Sequence, residues 1–105
     1  MSISGDELVL TEPLSFWGGL DVQTGRIIDR RHPQHGAVVT GRVLVMPGGR
    51  GSSSSSTVLA EALRLGTGPR AIILHRPDPI ISLGALVARE LYGIDCPVLV
   101  SRRGG

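Results

Sequence analysis

The stretch Arg42-Val-Leu-Val-Met-Pro-Gly-Gly-Arg-Gly-Ser-Ser-Ser-Ser-Ser-Thr57 decides how the rest of the chain is read. Its first five residues, apolar without a break from Val43 to Met46, read as a strand covered on both faces. Pro47 and three glycines break that run. The serines then open a helix predicted from about Ser54 to Leu65, with Val58, Leu59, Ala62, Leu63 and Leu65 on one broad face and Gly66 just past its end. Downstream, Ala71-Ile-Ile-Leu74 is a second buried strand. Asp78 with Pro79 behind it reads as the cap and first position of another helix. Ile80, Leu83, Gly84, Val87 and Leu91 follow helical spacing up to Gly93, and Pro97-Val-Leu-Val100 is a third strand. The order β-α-β-α-β implies crossovers of one hand and a parallel sheet.

Upstream, the pattern is shorter and turn-rich. Glu7–Thr11, Pro13–Trp17 and Arg26–Asp29 are candidate strands, separated by Gly18-Gly19 and by Asp21-Val-Gln-Thr-Gly25. The N-terminal third is therefore expected to supply a separate antiparallel layer. The fold class is α/β with three layers: antiparallel strands, a mainly parallel central sheet, and helices. No linker or repeat divides the chain, so residues 1–105 are expected to form a single domain.

Composition narrows the function. The eleven basic residues are all Arg, the net charge is +2, and no basic run is interleaved with aromatics, so nucleic-acid binding is not supported. No apolar run approaches the about 20 residues of a membrane span. Residues 1–7 lack a basic region followed by an apolar stretch, and a cytoplasmic location is expected. One cysteine, Cys96, cannot hold a metal cluster by itself, and its Cys-Pro-Val-Leu-Val context reads as an inert core thiol. His32 and His35 are spaced like metal ligands but have no acid or thiol nearby, so loop-fixing hydrogen bonds or a subunit contact are expected. Asp21 is read as fixing its turn, Arg76 as a surface residue, and Phe16 with Trp17 as core or interface.

The chemistry sits in the glycine-arginine-serine loop. A helix N-terminus offers unpaired N–H groups and partial positive charge, which attract anions. Arg50 adds a planar, doubly donating cation. One serine suffices to cap a helix, and five stand in a row. No Gly-Lys-Ser/Thr gives a Walker loop, and no acid ends the next strand as in a dinucleotide site. A serine hydroxyl acts as base or nucleophile only with a partner base or a setting that stabilises its alkoxide. The residues alone leave an anion-binding loop and a structural turn both open.

Pro13-Leu-Ser-Phe-Trp-Gly-Gly-Leu-Asp21, Thr24-Gly-Arg-Ile-Ile-Asp29, His32-Pro-Gln-His-Gly36, Gly41-Arg-Val-Leu-Val45 and Gly49-Arg-Gly-Ser-Ser-Ser54, in that order, resemble the small subunit of the aconitase X family. The resemblance covers nearly the whole chain. It implies a swivelling β/β/α domain that forms half of a hydro-lyase, active only with a large subunit. It implies an iron–sulfur cluster in that large subunit and none bound by this chain. It implies Ser52 as the proton-abstracting catalytic residue, with Gly49, Arg50, Gly51 and Ser53 lining the substrate site; Ser53 or Ser54 stand next in line as the base. The implied substrate is a small hydroxy acid: cis-3-hydroxy-L-proline, or alternatively mevalonate 5-phosphate. A non-catalytic anion-binding module that regulates a partner is the reading from another class.

Overall fold

A computed structural model of the chain describes residues 6–49 and 54–101. Its elements are β1 (Glu7–Val9), α1 (Phe16–Gly19), β2 (Leu20–Asp21), β3 (Arg26–Ile27), β4 (Val43–Met46), α2 (Ser54–Leu65), β5 (Ala71–Leu74), α3 (Pro79–Tyr92) and β6 (Val98–Val100). A four-stranded sheet runs in the order β1-β4-β5-β6 with every pairing parallel. Each crossover from β4 onward steps one strand in the same direction. A constant hand therefore places α2 and α3 on one face. There Leu59, Leu63, Ile81 and Ala88 share a core with Leu8, Leu44, Met46, Ile72 and Leu74. The α/β class, the parallel sheet and a separate antiparallel pair are as the sequence predicts.

Three local expectations change. Glu7–Val9 joins the parallel sheet rather than the antiparallel layer, which is β2 paired with β3. Pro13–Trp17 is not a strand. Leu14 makes a single parallel bridge to Gly49, and the chain then turns through α1, where Trp17 and Gly18 leave helical geometry and Gly18 takes φ +79. Phe16 is buried by that turn and Trp17 is left exposed.

The inward face of α3 differs in part from the expected one. Gly84 is buried and Val87 packs against the core as expected, but Ile81, Ala85 and Ala88 are buried beside them, while Leu83 and Leu91 are exposed. The reason is close packing of the two helices: a Cβ on Gly84 would lie 2.8 Å from the Ser56 carbonyl oxygen and 3.1 Å from Leu59 Cδ2. Small residues let the backbones approach, so the larger ones are turned away. The ends of α3 follow local chemistry. Asp78 caps its start, Pro79 takes the first position, and Gly93 closes it at φ +67 with its N–H on the Arg89 and Ala88 carbonyls.

Candidate functional site

Parallel pairing of β4 with β5 brings their carboxyl ends together, and the connections to α2 and α3 both leave from that edge. Ligands bind at this edge in open α/β sheets. Two side chains of the β5–α3 connection reach back over the two glycines that follow β4. Arg76 lies across Gly48, so that a Cβ there would sit 2.9 Å from Arg76 Nε. Asp78 lies against Gly49, so that a Cβ there would sit 2.5 Å from Asp78 Oδ2 and 2.7 Å from Ile81 Cδ1. Here glycine is required by close approach. The Gly49 N–H donates to Asp78 Oδ2 at 2.9 Å, while Asp78 Oδ1 accepts from the N–H groups of Ile80 at 3.0 Å and Ile81 at 3.2 Å.

Of the predicted site residues, Gly49 stands at this junction. Arg50, Gly51, Ser52 and Ser53 lie outside the described residues. Ser54 begins α2, and the next two serines serve packing: Ser55 and Ser56 are buried on its inner side. Ser55 Oγ also accepts from the Trp17 backbone N–H at 3.4 Å, which ties the backbone of α1 to the start of α2. Part of the serine run is thus explained by the helix seat, which the sequence reading did not foresee.

The remaining candidates fall into structural roles. His32 is buried. Its Nδ1 accepts from the Gln34 N–H at 3.0 Å, which leaves Nε2 to donate to the Glu12 carbonyl at 3.1 Å. His35 is exposed, and among the described residues no three His, Cys, Asp or Glu side chains form a group able to hold a metal ion. Asp21 fixes its turn, accepting from the Gln23 N–H on Oδ1 at 2.9 Å. A cleft of about 600 Å³ runs along α2 and α3, with Val22, Val58, Val87 and Leu91 among its walls.

The family model of the aconitase X swivel domain matches residues 1–103. The chain belongs to the aconitase X swivel-domain family. It is 48% identical over 97 residues to cis-3-hydroxy-L-proline dehydratase of Pseudomonas aeruginosa, which covers 92% of this chain and 17% of that protein. It is 50% identical over 84 residues to the phosphomevalonate dehydratase small subunit of Methanothermobacter thermautotrophicus, covering 80% of this chain and 64% of that subunit. The aconitase X of Thermococcus kodakaraensis superposes with a TM-score of 0.79 at 33% identity, over 88% of this chain and 67% of that one. The chain therefore spans about a sixth of one curated relative and just under two thirds of the other.

Within this aconitase X swivel domain, charge is arranged unevenly. Among the described residues the ion pair is Glu61 with Arg64, one helical turn apart on the outside of α2, at 2.6 Å. The hydrogen bond to Arg64 holds the Glu61 carboxyl below its usual range, and the same bond raises Arg64. Arg76 is exposed, as the sequence predicts; it has no carboxylate partner among the described residues, and its side chain lies across Gly48 at the carboxyl edge of the parallel sheet. Cys96 is buried, and burial, with the nearby Asp95 charge, pushes its thiol up to about 12, so it is not a nucleophile near neutral pH.

Proposed function

We propose that this chain, as one swivelling domain, is the small subunit of an aconitase X-type hydro-lyase and that its loop carries the base. The observation that carries the reading is the junction itself. Two glycines are pressed between Arg76 and Asp78, at the carboxyl edge of a parallel sheet, and lead straight into Arg50-Gly51-Ser52 and a helix start. In the proposed step the Ser52 oxygen, as alkoxide, takes the proton from the carbon next to the one bearing the hydroxyl. The C–H electrons form the double bond and the hydroxyl leaves with its bonding pair as hydroxide; a proton, equivalent to the one taken by Ser52, converts it to water and restores the alkoxide. Arg50 and the N–H groups at the start of α2 stabilise the alkoxide, as preorganised donors do wherever charge develops. Gly49, Gly51 and Ser53 line the same site.

An iron–sulfur cluster does not fit this chain's residues. Its one cysteine is buried as a protonated thiol, and no metal-holding group occurs among the described residues. The cluster is assigned to the large subunit. That partner is supported by the two forms of relative, one a small subunit and one a longer single chain. Trp17, 63% exposed beside Ser55, gives it apolar surface at the rim of the loop. The substrate is a small hydroxy acid. The longer match, over 97 residues, supports cis-3-hydroxy-L-proline, and mevalonate 5-phosphate is the alternative.

Ser52→Ala in the reconstituted two-subunit enzyme tests the reading. Loss of a positioned base lowers kcat about 10²–10⁴-fold, with a smaller change in KM and an unchanged assembly. A variant with normal kcat and only a lower Tm would make Ser52 a helix cap. A wild-type complex without dehydratase activity on either substrate would leave the regulatory module as the better account.

A further inference from the structure

A capping aspartate needs one oxygen for its helix, and in this chain Asp78 uses both. Oδ1 serves α3 through Ile80 and Ile81, while Oδ2 holds the Gly49 N–H at 2.9 Å, across 29 residues of sequence. The Gly49 side is built for that oxygen, since a methyl there would be 2.5 Å from it. Gly49 is held a second time by the isolated parallel bridge to Leu14. Asp78 itself cannot drift: its backbone precedes the rigid Pro79, and Ile81, which it caps, is buried. Gly49 is the last described residue before Arg50, so its peptide sets where the loop departs.

We infer that Asp78 is the positioning residue of the serine loop, fixing the Gly49 peptide from which that loop continues. The inference rests on the proposed role of that loop. A carboxylate accepting a backbone N–H makes a short, strong, directional bond. Catalytic groups displaced by about 1 Å can lose about 10²-fold in rate. Asp78 touches no reacting atom in this account; it acts through the backbone of residue 49.

Asp78→Ser separates anchoring from capping, because serine caps a helix about as well as aspartate but its single oxygen cannot serve both sites. Hydrogen exchange is read at Gly49 and at Ile80 and Ile81 in the 105-residue chain, and kcat and KM in the complex with the large subunit. The expected result is faster exchange at Gly49, near-normal exchange at Ile80 and Ile81, and a kcat lowered about 10–100-fold. Asp78→Asn behaves alike when its amide turns a donor toward the Gly49 N–H. Unchanged Gly49 exchange overturns the inference. So does accelerated exchange with normal kcat in an enzyme that Ser52→Ala inactivates. If Ser52→Ala is fully active, the proposed function fails and the positioning role with it, while Gly49 exchange still records whether the tie exists.

Discussion

The two strand-to-helix connections of the parallel sheet occupy equivalent places and are built by opposite means. The β5–α3 connection is short and closed on itself: His75 to Asp78, an aspartate cap, then Pro79. The β4–α2 connection runs from Pro47 to Ser53 and starts with glycines that have no side chain to hold them. Its described part takes its order from the other connection, through Arg76 on Gly48 and Asp78 on Gly49. The β5–α3 connection thus supports the start of the β4–α2 connection, whose glycines let Arg76 and Asp78 approach closely. Such support is what the proposed role of the loop as a preorganised site would require.

Gly49→Ala attacks this arrangement most strongly. The added methyl meets Asp78 Oδ2 at 2.5 Å and Ile81 Cδ1 at 2.7 Å, and neither can retreat, since one caps α3 and the other is buried. Overpacking of this kind costs about 1–3 kcal/mol. The expected outcome is a clear fall in Tm on thermal unfolding together with loss of most turnover in the complex. A variant as stable and active as wild type would mean that the β5–α3 connection does not set the loop.

Much of the helix-and-strand frame around the two connections was legible from sequence. Ser54–Leu65 and Ala71–Leu74 are found at their expected bounds, and Asp78 and Gly93 end α3 as predicted, because caps and buried runs are encoded locally. What failed depends on distant partners. On α3 the spacing places Gly84 correctly but not Leu83 and Leu91, because close approach to α2 at Ser56 puts the small Ala85 and Ala88 inward beside Gly84 and leaves those leucines exposed. The parallel pairing of Glu7–Val9 and the turn at Phe16–Gly19 are fixed by β4 and by Ser55, far away in sequence. At the site, composition marked the loop, but the second bond of Asp78 spans 29 residues and leaves no local trace.

Cys96 provides a control away from both junctions. Burial first, and then the Asp95 charge, pushes its thiol from the ordinary value of 9.0 up to about 12 in the fold. The folded state therefore keeps a proton that the unfolded chain gives up. Stability from this group is full below pH 9.0 and is lost as pH rises toward 12. Unfolding titrations above pH 9 should show this decline in wild type and a shallower one in Cys96→Ala. At pH 8 the native thiol should resist alkylation until the chain is unfolded. Equal pH slopes for the two proteins would show that the thiol is not shielded.

The smallest expected effect is the most diagnostic of how the two glycines differ. At Gly48 a methyl would meet Arg76 Nε at 2.9 Å and its Cγ at 3.4 Å. That neighbour is the far part of an exposed, flexible side chain, which can swing aside, whereas the neighbours of Gly49 cannot. Gly48 is itself buried, but because the atoms it would displace belong to an exposed side chain, Gly48→Ala should change stability by no more than about 0.5 kcal/mol. Any functional effect should come through the displaced guanidinium. If Arg76 meets the anionic group of the substrate, Gly48→Ala and Arg76→Ala both raise KM, and the double variant is no worse than Arg76→Ala alone, because the methyl then has nothing to displace. A double-mutant cycle on KM reads this directly as a non-additive pair. Strictly additive effects would separate Gly48 from Arg76, and an unchanged KM in Arg76→Ala would return that residue to the solvated surface.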